Sequence, residues 1–172
     1  VYVIDTDMLA QIGKRQRAFF MNGVEALKRR YRQLDSDLLI RAGDPAELLE
    51  EIADEYDAER VYYNRGYRPA RRNREQSGAD RLPTKSVQDL LLVDPDRLDP
   101  SYPNHSQFYN DWQDEHKLTP FDSPDEASLA SVSDATGPPT IEAEIELPEA
   151  CYEAARERYD QFLTSGIESY ND

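Results

Sequence analysis

Short β-branched runs alternate with segments of helical periodicity through residues 1–93, and this alternation limits the possible folds more than any other feature. Val1-Tyr2-Val3-Ile4 is a continuous apolar run, the pattern of a strand buried on both faces. Asp5-Thr6-Asp7 ends it. Over residues 14–34, Phe19, Phe20, Val24, Leu27, Tyr31 and Leu34 recur at three- and four-residue spacing. Arg15, Arg17, Lys28, Arg29, Arg30 and Arg32 largely occupy the other faces, so a long amphipathic helix is predicted. A second strand is predicted over 37–41. Asp44, Pro45 and Glu47 then form a helix start: an N-cap, a proline at the first helical position and a capping-box carboxylate. Leu48, Leu49, Ile52 and Tyr56 supply that helix with an apolar stripe. A third strand follows over 60–64, a short helix within 69–80 and a fourth strand over 86–93. Strand–helix alternation at this spacing implies βαβ units. The expected class is α/β, a Rossmann-like parallel sheet with helices on both faces.

Residues 94–147 read differently. They hold Pro95, Pro100, Pro103, Pro120, Pro124, Pro138 and Pro139 among many Ser, Asp and Glu. One short helix is predicted over 106–115, carrying Phe108, Tyr109 and Trp112; the rest reads as an extended connector on the surface. Residues 148–170 read as an amphipathic helix with Tyr152, Ala155, Tyr159, Phe162, Leu163 and Ile167 on one face. The expected division is therefore 1–93, 94–147 and 148–172.

The charge balance adds a constraint. Formal net charge is −15, and only four of twenty basic residues are lysine. Such acidity makes a compact chain repel itself at low salt, whereas at molar salt the Debye length falls to about 3 Å. A halophilic cytoplasm is the expected setting; an acidic face meeting a basic partner is the alternative. No stretch has the length of a membrane span, no signal peptide precedes the first strand, and the chain reads as soluble, cytoplasmic and without a membrane partner. Its one cysteine, Cys151, excludes an intrachain disulfide.

P-loop, GxGxxG, GxSxG and CxxC patterns are all absent. His105 and His116 stand eleven apart in polar sequence and read as solvated, and Glu50, Glu51, Asp54 and Glu55 read as a solvated helix face. No catalytic residue and no metal ligand is expected. The distinctive stretch runs from Val61-Tyr62-Tyr63-Asn64-Arg65-Gly66-Tyr67-Arg68 to Arg74. It lies at the carboxyl end of a strand, where open α/β sheets bind ligands. Tyrosines beside a basic cluster suit a flat anionic ligand. The alternative is a tyrosine-lined sheet edge with solvated arginines.

The ordered set VYVIDTDML, GKRQRAFFMNGVEALKRRYRQLDSDLLIRAGDPAELL, VYYNRGYRPARRNRE and SVQDLLLVDPDRL resembles the N-terminal α/β (antenna) domain of the DNA photolyase and cryptochrome family, haloarchaeal type. SQFYNDW sits where the family places an aromatic helix, and YEAARERYDQFLTSGIESYND resembles the helix that begins its flavin domain. The resemblance implies a fragment: the family's first, central strand is absent upstream and its helical FAD-binding domain is absent downstream. The parent protein would be a deoxyribodipyrimidine photolyase, a carbon–carbon lyase that uses light and FAD to repair UV-induced pyrimidine dimers; the fragment alone would be inactive. UV-damaged DNA would be engaged through the absent domain. A blue-light photoreceptor of cryptochrome type and a stand-alone nucleotide-binding or interaction domain are the alternatives.

In the family, the α/β domain holds an antenna chromophore, a folate or a deazaflavin. Tyr2, Val3, Ile4, Arg17 and Arg74 occupy places that match the deazaflavin pocket. Gly66 and Arg68 stand where that type usually carries acidic residues, and Ala70 and Arg71 replace the Asn-Glu pair of the folate type. Deazaflavin is thus favoured over folate. The family's strand order, 3-2-1-4-5, implies a gap between the strands at 1–5 and 60–64. Either those two pair directly, or a strand from another molecule fills the gap by self-association.

Overall fold

The computed structural model describes residues 1–89, 91–117, 119, 122–125 and 128–170, with the side chains of all of these except 70 and 74. The chain forms two compact units, one of Val1–Asp44 with Pro124–Asp172 and one of Pro45–Ser123.

The first unit is built on β1 (Tyr2–Ile4), α1 (Thr6–Gln11), α2 (Lys14–Arg32) and β2 (Ile40–Ala42). The six-residue α1 was not expected. It forms because Asp5 caps it, its carboxylate accepting from the Met8 N–H at 2.8 Å. α2 ends two residues before the predicted helix does. Asp35 then turns the chain at φ 51°, a left-handed conformation that aspartate tolerates better than most residues. β1 and β2 are parallel, Tyr2 opposite Ile40 and Ile4 opposite Ala42. Ile4, Met21, Val24, Leu38 and Ile40 form the core, with Tyr2, Leu9, Tyr31 and Ile141 packed around it.

The buried face of α2 differs from the one read from the sequence: Phe19, Phe20 and Leu27, expected on its apolar stripe, are exposed, while Ala18, Met21 and Val24 are buried together with Lys28. Lys28, assigned above to the polar face of α2, is 1% exposed. Its ammonium donates to the Leu38 carbonyl at 2.7 Å and pairs with the Asp37 carboxylate at 2.7 Å. Burial of an unpaired ammonium would be prohibitive; here it is matched by a carboxylate that is itself buried. Residues 130–141, expected as a surface connector, help to close this pocket, for Asp134 is buried 4.0 Å from Lys28.

The second unit holds α3 (Pro45–Glu55), β3 (Val61–Asn64), α4 (Pro69–Ala79), β4 (Thr84–Val87) and α5 (His105–Asp114). α3 buries Ala46, Ile52 and Ala53, while Tyr56, expected on its apolar stripe, is exposed. β4 corrects the predicted strand over 86–93. It pairs in parallel with β3 from Val61–Thr84 to Asn64–Val87, so the ladder stops where β3 stops. Beyond it Leu91 and Leu92 are exposed and Val93 is buried. A 3₁₀ turn at Pro95–Arg97 follows, capped by Asp94.

Both sheets are mixed into α/β units with parallel strands, and they are separate ladders, β1 with β2 and β3 with β4. Of the two arrangements expected, direct pairing of residues 1–5 with 60–64 is not formed among the described residues: Tyr2 has Ile40 opposite it and Tyr62 has Lys85. In the last segment, α6 (Tyr152–Gln161) passes into a π-helical turn at Phe162–Gly166, shorter than the helix predicted over 148–170.

Candidate functional site

The residues singled out as chromophore contacts fall in both units. In the first, Tyr2 and Val3 are half-buried and Ile4 is buried. Burial raises the pKa of the Tyr2 phenol, which therefore stays a neutral hydrogen-bonding group. Arg17 lies one turn before the core residue Met21 on α2 and is half-buried. Its Nε is buried and has no hydrogen-bond partner among the described residues. A guanidinium N–H withdrawn from water and left unmatched costs about 1–3 kcal/mol or more. Such a group is suited to an incoming carbonyl, phenolate or phosphate oxygen.

In the second unit the carboxyl end of β3 is more internally matched than its composition suggests. Arg65 donates to Asp94 at 2.5 Å and to Asp96 at 2.8 Å, and reaches the Tyr67 hydroxyl at 3.4 Å. Its guanidinium lies 5.3 Å from the Tyr67 ring centroid. The Tyr67 hydroxyl and the Asp94 carboxylate outweigh burial and raise the pKa of Arg65, so its charge is permanent and its terminal nitrogens are committed to its own chain, while its Nε, like that of Arg17, is buried without a partner among the described residues. The sequence reading counted Arg65 within the basic stretch and missed Asp94 and Asp96 as its partners. The available signal was Asp94-Pro95-Asp96, a turn with two carboxylates close together.

Gly66 is buried, and its N–H donates to Glu75 at 2.8 Å. A Cβ there would lie 2.3 Å from Arg71 Cδ, so the side chain of Arg71 occupies the space that a larger residue would need. Arg71 bonds the Asn64 carbonyl at 2.9 Å and Glu75 at 3.1 Å. Arg68 is exposed at the start of α4, with no side-chain cap bond. Arg74 belongs to α4, and its side chain lies outside the described residues.

Other cations are paired as well. In the open groove between α2 and α6, Arg30 faces Glu153 at 3.9 Å and Arg156 faces Asp160 at 3.2 Å. On α5, His105 stacks on Tyr109 with ring centroids 6.1 Å apart. Among the described residues no group of three His, Cys, Asp or Glu is placed to hold a metal ion, and no helix is long and apolar enough to cross a membrane.

Comparison with known proteins sets this geometry in a family. The DNA photolyase family model matches residues 1–126. A deoxyribodipyrimidine photo-lyase of Halobacterium salinarum is 32% identical over 191 aligned positions, which cover all of this chain and 40% of that protein. A deoxyribodipyrimidine photo-lyase of Synechococcus sp. is 30% identical over 137 positions, covering 73% of this chain and 28% of that protein. Among solved structures, a Synechocystis sp. cryptochrome superposes with a TM-score of 0.59 at 20% identity, over 65% of this chain and 26% of its own. A class III photolyase of Agrobacterium tumefaciens gives 0.56 at 19% identity, over 72% and 30%. The chain thus spans two fifths or less of the length of these relatives. With parallel α/β ladders shared with those folds and a family match over most of its length, the chain belongs to the DNA photolyase family.

Proposed function

We propose that this chain is part of a deoxyribodipyrimidine photolyase, and that residues 1–93 are its antenna-type α/β domain, 94–147 its interdomain linker and 148–172 the first helix of its flavin domain. What carries this reading is the 32% identity to the Halobacterium photo-lyase along the whole chain. The parent would act in the cytoplasm on UV-damaged DNA through a helical domain that binds FAD. The flavin would supply the light-driven electron that opens the cyclobutane ring and takes that electron back. In a repair assay, the 172-residue chain with FAD, thymine-dimer DNA and near-UV light is expected to restore no thymines above background. The gene product that joins it to a helical flavin domain is expected to restore them. Repair by the chain alone removes the domain assignment. A longer product that holds flavin yet repairs nothing in light favours a photoreceptor of cryptochrome type.

The chain's own contribution would be to hold the antenna. Tyr2, Val3, Ile4 and Arg17 supply an apolar wall and an unmatched guanidinium N–H, which fits a deazaflavin bearing carbonyl and phenolate oxygens. Folate is disfavoured because Arg71, at the family's Asn-Glu position, is engaged by Asn64 and Glu75. In a fluorescence titration with a deazaflavin, Arg17→Ala should weaken binding about tenfold, or ~1.4 kcal/mol. Equal affinity in the variant removes Arg17 from the pocket.

A further inference from the structure

The buried charges of the first unit point to a device that holds the chain after residue 130 against α2. β2 offers two edges. Leu39 O and Gly43 N bond β1, so by alternation the Leu38 carbonyl and Ile40 N–H face the opposite edge. No strand covers that edge among the described residues; side chains do. Lys28 Nζ donates to Leu38 O at 2.7 Å, and Ile40 N donates to Asp134 Oδ2 at 2.9 Å.

Asp134 does more than stand in for a ladder partner. Its Oδ2 accepts from Arg41 at 2.9 Å, its Oδ1 accepts from Thr136 N at 3.0 Å, its N–H donates to Asp37 at 2.9 Å, and its carbonyl accepts from Arg32 at 2.9 Å. Nearby, Ser36 donates to Ala130 O at 2.7 Å.

From there the chain runs back along α2. Ile141 packs on the core, Glu144 lies 4.0 Å from Lys14 at the start of α2, and Ala150 lies 3.8 Å from a Cβ built on Gly23. α6 itself is thinly attached. It buries no residue, and Tyr159, Phe162 and Leu163 are exposed. Its ion pair with Arg30 is 3.9 Å long between exposed groups, and the Lys14–Glu144 pair is as exposed. Pairs of that kind contribute about 0–1 kcal/mol.

We infer that Asp134 is the clasp of a strap: its buried bonds to β2, Asp37 and Arg32 hold residues 130–150 along α2 and so set the position of α6. Without the clasp, the strap and α6 detach while β1, α2 and β2 stay folded. The inference concerns this chain's own conformation and stands whichever reaction the parent performs.

Cys151 is the chain's one cysteine, half-buried at the α6 N-cap, where its Sγ accepts from Ala154 N at 3.4 Å. Its alkylation by iodoacetamide therefore reports detachment of α6, and amide hydrogen exchange reports the strap. In Asp134→Ala, alkylation and exchange over 130–161 should quicken at least about tenfold, and the Ile40 amide loses its acceptor, while the other amides of β1, α2 and β2 keep their protection. Glu144→Gln, which breaks an exposed pair, should change neither. Two results overturn the clasp: strap protection unaltered in Asp134→Ala, or strap and core protection falling by the same factor. If Asp134→Ala does not fold, Asp134→Asn serves under the same two criteria. It keeps an oxygen for Ile40 N–H and removes the charge that faces Lys28 and Arg41.

Discussion

Replacing Lys28 with alanine is expected to destabilise the first unit by about 3–5 kcal/mol, the cost of leaving a buried ion pair half-broken. The ammonium is 1% exposed and lies between the Leu38 carbonyl, Asp37 at 2.7 Å and Asp134 at 4.0 Å. Its removal takes the buried cation away from two buried carboxylates, leaving Asp37 with Arg32 at 3.2 Å and Asp134 with Arg41 at 2.9 Å, both partners being more exposed than Lys28. Against a total stability of roughly 5–15 kcal/mol, that loss brings the unit close to unfolding at moderate temperature. Trp112 belongs to the other unit, so tryptophan fluorescence is the wrong probe. Hydrogen exchange of the β2 and α2 amides in graded urea measures the effect directly. A loss under 1 kcal/mol would mean that Lys28 escapes to water in solution. The same cluster sets the acid limb. Burial by itself would raise the Asp134 carboxyl, but the Ile40 and Thr136 N–H groups and Arg41 outweigh it and hold the group at about 2. Burial is likewise outweighed at Asp37, where Lys28, the N–H groups of Asp134 and Leu38, and Arg32 keep the carboxyl well below its ordinary range. Both pKa values are depressed on folding. Their stabilisation is therefore full above the unfolded carboxylate value near ~4 and is lost as pH falls toward and through about 2. Unfolding free energy should fall steeply from about pH 5 to pH 2, and the Lys28→Ala protein should show a shallower slope.

A melting midpoint higher by roughly 5–10 °C in 2 M than in 0.1 M KCl is the second large effect expected, equivalent to about 2–3 kcal/mol for a chain of this size. Net charge −15 with four lysines leaves carboxylates repelling one another across the surface, and molar salt shortens the Debye length from about 10 Å to below 3 Å. Screening also weakens exposed pairs such as Arg97–Glu115 and Arg81–Glu50. Each of those contributes about 0–1 kcal/mol, so the relief of net repulsion outweighs their loss. The Lys28–Asp37 pair is buried and is screened least. Parallel calorimetric scans in the two salts decide the matter; an equal or lower midpoint at 2 M counts against adaptation to a saline cytoplasm.

Where the determinants were local, the sequence was a sufficient guide. Asp44-Pro45-Ala46-Glu47 carried a helix start into α3 at Pro45, and helical spacing carried α2 as an element, although of its expected apolar stripe Val24 is buried while Phe19, Phe20 and Leu27 are exposed. Val61 to Asn64 formed a strand, as their β-branched and aromatic side chains require. The stretch after β3 was legible as the end of a strand, but its internal pairing was not. Arg65 reads as one more solvated arginine until Asp94 and Asp96, 29 and 31 residues away, close on it. The end of β4 was likewise set by the length of β3 and not by the apolar run at 90–93. Lys28 is the plainest case. Helical periodicity compares a residue with neighbours three and four positions away and assigns a lysine to water. Its burial was decided by Asp37 at the entry to β2 and by Asp134, whose carboxylate accepts from Ile40 across 94 residues of chain. Short-range spacing identifies a helix, whereas which of its faces is covered, and whether a buried charge is matched, depends on segments distant in sequence, and only the tertiary structure brings those in.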